Sequence, residues 1–266
     1  MITEAWSWIT TDCLPIARKM GYLSEAIAIR ERFRRNHEAW EEHLRASQQC
    51  ILDAVGLTGM RREVLVLGSG LLLDVPLQTL SDRFDKVRLV DIVHLKEAET
   101  TASEYDNVEL VSHDVTDLAE KFLSLVKARK FDEALALTAQ PTDWIGGDVD
   151  LVISINLLSQ LPLPFISLLE NKAPELLSSD DVIEFCDRIQ RQHLEWLRAF
   201  QAPVCVISDI EWRREDMDTG QVSVRRALPE TIQLPAPHAQ WTWNIAPPPE
   251  VEPTIDVQHA VACWIR

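Results

Sequence analysis

The sequence predicts an α/β protein built on a mostly parallel sheet, and two stretches carry most of that prediction. Val64–Gly70 reads Val-Leu-Val-Leu-Gly-Ser-Gly, an apolar run that stops at two glycines. Val87–Asp91 reads Val-Arg-Leu-Val-Asp, a second apolar run that stops at an acid. A helix-compatible segment lies between them, which is the layout of the first β-α-β unit of a nucleotide-binding α/β fold. The glycines let a ligand approach the backbone after the first strand, and the acid after the second can hold ribose hydroxyls. Twenty-three positions separate Gly68 from Asp91, close to the roughly 20 expected of such an acid.

The rest of the chain extends this unit in order. Candidate strands are Glu63–Leu67, Lys86–Asp91, Val108–Val111, Val149–Ile155 and Pro203–Asp209. Helical segments between them are Leu72–Arg83, a short one after His94, Thr116–Ala128, Ser159–Leu169 and the long Ser179–Phe200, where Ser179, Asp180 and Asp181 make an acidic start. Such alternation predicts a parallel sheet covered on both faces. After Asp209 it ends. Residues 210–238 are polar, Gln240–Ala246 reads as a strand, and Pro247–Pro253 must be a turn because proline cannot serve in a central ladder. Asp256–Ile265 is the final strand, which closes a terminal hairpin.

Residues 1–56 are helical in pattern and form the expected N-terminal cap, with 57–266 as the α/β domain. Ser24 is a candidate N-cap for a helix through Arg35, and a second helix runs from Ala39 to Val55 and ends near Gly56.

Composition narrows the function classes. The chain has 266 residues, a 46% apolar fraction and a net charge of −16, enough for one large domain with a substantial core. A pI near 4.8 argues against a broad basic surface for nucleic acid. Five scattered cysteines without a C-x-x-C pair fit free thiols in a reducing cytoplasm. No stretch approaches the roughly 20 apolar residues that span a bilayer. The expected protein is cytoplasmic, binds a small molecule, and uses neither nucleic acid nor membrane.

Five β-α units followed by a hairpin resemble the class I S-adenosylmethionine-dependent methyltransferases. Their Rossmann-like sheet has seven strands, the last antiparallel and reached through a hairpin. The likeness covers about residues 60–266. Val64–Gly70 resembles the first glycine-rich motif, Asp91 the ribose-binding acid, and His113-Asp114 the segment that contacts adenine. Asp150–Gln160 resembles the fourth-strand motif beside the methyl group. The resemblance implies S-adenosylmethionine as cofactor, held by Gly68, Gly70, Asp91 and Asp114. Two departures stand out: Val66 occupies the place of a frequent acid that partners the methionine portion, and Leu72 the place of a third glycine. The residues themselves also allow a plainer account, in which Gly68 and Gly70 make a tight turn and both acids cap helices.

Methyl transfer is an in-line displacement, so the protein chiefly aligns donor and acceptor, and a base helps only when the acceptor must lose a proton. Asn156 and His193 are the candidates for acceptor handling. Asn156 follows the fourth strand, with Gln160 as a helix-surface residue beyond it. His193 shares a helical face with Ile189 and Trp196, where a packing role competes with a catalytic one. Asp209 and Glu211 follow the fifth strand, where a base or amine site competes with a solvated loop, the favoured account. His43 and His94 are weaker candidates. Arg30, Arg32, Arg34 and Arg35 make a basic cluster that either binds an anion or, as favoured, neutralises nearby glutamates. No zinc spacing, H-E-x-x-H, G-x-S-x-G or phosphate loop occurs, so no metal is expected. Three functions follow: methyl transfer to an unidentified small-molecule acceptor, a non-catalytic member of the fold that binds a partner or senses a nucleotide, and, least favoured, an NAD-linked enzyme.

Overall fold

The computed structural model describes residues 2–139 and 148–266. Its core is a twisted sheet. Strands β1 (Glu63–Leu67), β2 (Lys86–Asp91), β3 (Val108–Ser112), β4 (Val149–Ile155) and the first part of β5 (Val204–Asp216) run parallel. A short strand β6 (Val222–Arg226) folds back on the far end of β5, and β7 (Ala239–Ala246) and β8 (Ile255–Ile265) form an antiparallel hairpin. The order is β3-β2-β1-β4-β5-β8-β7, so β8 inserts antiparallel beside β5, and β6 pairs with β5 off this path. The α/β class, the mostly parallel sheet and the antiparallel C-terminal hairpin are as the sequence predicts. The eighth strand, β6, is an addition: its five residues are all exposed, so no apolar run announces it.

Central strands β1 and β4 are buried at successive positions because both of their faces are covered; β1 is apolar from Val64 to Leu67, and β4 carries the apolar run Leu151–Ile153. On one face lie α3 (Tyr22–Gly56) and α4 (Leu77–Arg83), which follow the short N-terminal helices α1 (Ile2–Thr10) and α2 (Pro15–Lys19). There Trp40, Ile51 and Ala54 meet Val64, Val66, Leu151 and Ile153. On the other face α9 (Asp180–Ala199) sets Leu194 and Leu197 against Leu65, Leu67 and Val152. The alternation within β1, Val64 and Val66 one way and Leu65 and Leu67 the other, is the period of a strand. Helices α5 (Lys96–Ala102), α6 (Ala119–Lys127), α7 (Phe131–Leu135) and α8 (Leu163–Lys172) complete the alternation. A further apolar cluster joins Ile16, Leu23 and Ile27 of α2 and α3 to Ile92 and Val93, just past β2. The N-terminal helices therefore roof the carboxyl ends of the strands.

Two expected helices take a different form. The two N-terminal helices are one, bent at Asn36 (φ −123°, ψ 25°) between the two expected segments, with the Asn36 side chain donating to the Arg32 carbonyl at 3.1 Å. The segment Leu72–Arg83 is helical only from Leu77. Leu72 sits at φ 63°, and Pro76, which has no N–H to give, stands at the N-cap. The freed residues 71–76 form a loop over the sheet end.

The arginine cluster is neutralised, as favoured from the sequence, though mainly by distant partners. Arg30 and Arg34 share Glu31 and Glu97 of α5. Arg35 grips Glu250 of the β7–β8 loop through two hydrogen bonds of 2.8 and 2.5 Å, and Asn36 adds a third at 3.0 Å. These bonds, Arg35 first, hold the Glu250 carboxyl down to about 2. A depressed native pKa stabilises above the unfolded value and is lost as pH falls through the native one. Glu250→Gln is therefore expected to cost roughly 1–2 kcal/mol at pH 7, the low side of a charged pair because Arg35 is half exposed. The difference from the wild type should close as pH falls toward 2, which chemical denaturation at several pH values measures.

Candidate functional site

The chain leaves β1 through a turn that only glycine tolerates. Gly68 and Gly70 have φ of +77° and +48°. A Cβ on Gly68 would stand 2.6 Å from the Ile155 carbonyl oxygen at the end of β4 and 3.3 Å from Leu157 Cβ. The amides of Gly68 and Ser69 both donate to the Val90 carbonyl, at 2.9 and 3.2 Å, which ties the turn to the end of β2. Gly68→Ala combines left-handed strain with a backbone clash, and a loss on the order of 2–4 kcal/mol is expected in thermal or chemical unfolding.

Asp91 closes the other side of the turn. Its Oδ2 accepts from the Gly70 amide at 2.8 Å and its Oδ1 from Val93 at a long 3.4 Å. A carboxylate has about four lone-pair sites, so acceptor capacity is left over. Burial lifts its carboxyl, and neighbouring His94 and the backbone amides act against the lift. His94 is buried, with its ring nitrogens 3.4 Å from the Ser69 and Ser112 hydroxyls, and burial lowers its pKa. It braces the glycine turn against the end of β3.

Asp114 is brought to the same end of the sheet, after β3, but its carboxylate is fully used. Oδ1 accepts from the Thr116 amide and hydroxyl at 3.0 and 2.7 Å, and Oδ2 from the Leu118 and Ala119 amides at 3.1 and 2.9 Å. With four donors on about four lone-pair sites, the expected bond from its side chain to an adenine amine is corrected to a cap on the start of α6.

Asn156 joins the cluster. It has φ 50°, a strained state for a residue with a side chain, and its side-chain amide donates to Asp74 Oδ2 at 3.1 Å. Its Oδ1 is sealed from solvent with no partner. Asp74 was not among the expected site residues, since the sequence placed it inside a helix. Burial pushes its pKa up to about 6, with the Asp91 charge adding to the rise and the Asn156 bond opposing it. A raised native pKa makes the folded state bind the proton more readily, so stability falls as pH climbs from the unfolded value near 4 to about 6. Asp74→Asn should therefore raise the melting temperature at pH 7–8 and leave it close to wild type below pH 4.

Tyr22, at the start of α3, also went unnoticed in the sequence. Its phenol is pushed well above the usual range by burial first, and then by the charges of Asp114 and Asp91. His193 takes the packing role. It is 5% exposed, Nε2 lies 3.0 Å from the Ser154 hydroxyl inside the α9–β4 interface, and burial lowers its pKa to about 4. The acceptor-handling role expected of it is corrected accordingly: the ring lies beneath the sheet, bonded to a strand residue. Gln160 is exposed.

Asp209 is no solvated loop residue. It is 1% exposed, and its Oδ2 receives Ser159 Oγ at 3.3 Å and Trp212 Nε1 at 3.1 Å, with His259 Nδ1 3.1 Å away. His43 stacks on Trp243 at 3.9 Å and accepts from Trp241 at 3.0 Å. Burial drives its pKa to about 3, Asp209 and His259 exerting smaller opposed effects. Among the described residues no group of acids, histidines or cysteines is arranged to hold a metal, and no helix is long and apolar enough to cross a membrane. Cys50, Cys205 and Cys263 are buried free thiols, Cys13 and Cys186 half-buried ones.

No protein-family model matches the chain, and no curated protein matches it. Among solved structures, a complex of DhpI with S-adenosylhomocysteine aligns over 90% of this chain and 94% of its own at 15% identity, with a TM-score of 0.39. The N-methyltransferase NodS from Bradyrhizobium japonicum, also with S-adenosylhomocysteine, aligns over 82% and 85% at 9% identity and 0.36. The Burkholderia thailandensis 1,6-didemethyltoxoflavin-N1-methyltransferase aligns over 91% and 89% at 13% identity and 0.31.

Proposed function

We propose that this protein transfers a methyl group from S-adenosylmethionine to a small-molecule acceptor. The observation that carries the reading is Asp91, fixed by the Gly70 amide beside an open glycine turn, with lone pairs left for a vicinal diol. When bound, the cofactor supplies an electrophilic methyl group on a sulfonium. The chain's part is to hold and aim it. Gly68 and Gly70 let the ligand approach the backbone at the sheet's carboxyl end, where ligands bind in open α/β sheets. Asp91 accepts the ribose hydroxyls, and the main chain of residues 113–115 flanks the base. Asp74 and Asn156 Oδ1 accept an ammonium, which takes over the task of the acid missing at Val66, itself buried in the core. An ammonium there would stabilise the ionised Asp74 that burial disfavours. The roof of α2 and α3, with Tyr22, excludes water from the donor.

The rival reading is a non-catalytic member of the fold, and the occupied Asp114 carboxylate favours it. Calorimetric titration with S-adenosylmethionine and S-adenosylhomocysteine, with NAD as control, separates the two. Micromolar binding of the first two alone is expected, with Asp91→Ala weakening it by roughly 1–3 kcal/mol. Absence of binding would leave a scaffold, and unchanged affinity in Asp91→Ala would remove that residue from the site.

A further inference from the structure

Strand β6 is the least covered part of the sheet, and its outer edge is unspent. All five of its residues are exposed, whereas β3 and β7, which end the main path of the sheet, are partly buried. Val222 and Val224 stand 43% and 50% open to solvent. A strand with both faces open is held by its ladder alone, and two-stranded pairing is marginal in water. The direction of that ladder can be read from its two ends. The Ala227 amide donates to the Ile210 carbonyl at 3.0 Å and the Asp216 amide to the Gln221 carbonyl at 2.9 Å, while the register sets Trp212 opposite Arg225 and Arg214 opposite Ser223. Bonded pairs alternate along an antiparallel ladder. Ser223 and Arg225 therefore turn their N–H and C=O toward β5, and Val222, Val224 and Arg226 turn theirs outward. Those outward groups have no partner among the described residues. Neither a proline nor a bulge guards the edge: it reads Val-Ser-Val-Arg-Arg, and its register with β5 runs without a shift.

We infer that β6 is the docking edge for a second copy of this chain, the two strands pairing antiparallel about a twofold axis at Val224. Register and charge select this occupant. With the axis there, Val224 meets Val224 of the second copy, Val222 meets Arg226, and Ser223 meets Arg225. Every outward-facing group is then used, in about six ladder hydrogen bonds. An axis at Arg226 would set two guanidiniums opposite each other, and like charges so placed destabilise a sheet. An axis at Val222 would push Val224 and Arg226 against the β5–β6 turn, where Gly220 is left-handed at φ 68°. Only the axis at Val224 keeps arginine off arginine and uses the whole strand. The surrounding charge permits the approach. The chain carries −16 in all, so two copies repel over most of their surface. Around β6, by contrast, Arg213, Arg214 and Arg226 are matched by Glu215, Glu252 and Glu230, and Arg225 has no ion-pair partner among the described residues. A contact of one five-residue edge is at the low end of interface sizes, so the dimer forms and parts with concentration. Each copy offers the same edge to the other, and assembly through β6 stops at two.

Sedimentation equilibrium of the full chain, from low micromolar to near-millimolar concentration, should show a monomer passing into a dimer. Added salt should favour the dimer by screening the overall repulsion. Val224→Pro separates this edge from any other contact. The Val224 N–H does not serve β5, so proline there leaves the β5–β6 ladder whole and removes both Val224 bonds to the second copy. Its thermal unfolding should stay close to wild type while association weakens roughly tenfold or more. Val224→Lys, which sets two ammonium groups face to face, should weaken association as well. Amide hydrogen exchange supplies the register: Val222, Val224 and Arg226 should slow as concentration rises, while Ser223 and Arg225 stay protected throughout. A monomer over the whole range, a dimer that both variants leave unchanged, or outward amides indifferent to concentration would each overturn the assignment.

Discussion

The close approach of Gly68 to the Ile155 carbonyl is the constraint from which the site follows. Two parallel strands, β1 and β4, end side by side, and the chain leaving β1 must turn across the end of its neighbour. A side chain there would occupy the space of a backbone oxygen, so the turn forms only where no Cβ exists and φ can be positive. Once made, it is fixed by two amides on Val90 and one on Asp91. On the neighbouring strand the exit residue Asn156 has φ 50° and donates its side-chain amide to Asp74 at 3.1 Å. The two adjoining strand ends thus carry a carboxylate, an amide and the glycine turn.

What surrounds that point is set by α3. Its C-terminal half belongs to the core, with Trp40 donating to the Ile245 carbonyl at 3.0 Å and Ile51 and Ala54 against the strands. Beyond the bend at Asn36 the N-terminal half leaves the sheet face and crosses its end. Ion pairs hold it at two places, Arg30 and Arg34 on Glu97, and Arg32 and Arg35 on Glu250. In a protein of net charge −16, these arginines are better understood as anchors for the roof than as an anion site. On the core side of the bend, His43 stacks on Trp243 at 3.9 Å and so ties α3 to the β7–β8 hairpin.

Much of the fold was legible because its signals are local. The apolar run Val64–Leu67 and the largely apolar Val149–Ile155 are strands on both counts, and the two glycines and Asp91 stand where the turn and its closing acid are found. Helix α9 begins at the acidic start read at Ser179–Asp181, and there the Ser179 side chain accepts from the Val182 amide at 3.4 Å. The misreadings have a shared cause. Leu72–Asp74 has the pattern of a helix, but Pro76 and the left-handed Leu72 hold it as a loop. His193 lies on the expected face of α9, and that face turned out to meet Ser154. Asp114 was an acid in the right place whose lone pairs are spent on its own loop.

Sequence by itself determined the order of strands and helices, the glycine turn and the acid that closes it, since periodicity, chain stiffness and the absence of a Cβ act within a few residues of one another. Tertiary structure alone decided which polar groups are free to act. Asp74 meets Asn156 across 82 positions, and His259 Nδ1 lies 3.1 Å from Asp209 across 50. Burial, partner count and lone-pair occupancy depend on packing between distant segments, and no local pattern of residues encodes them.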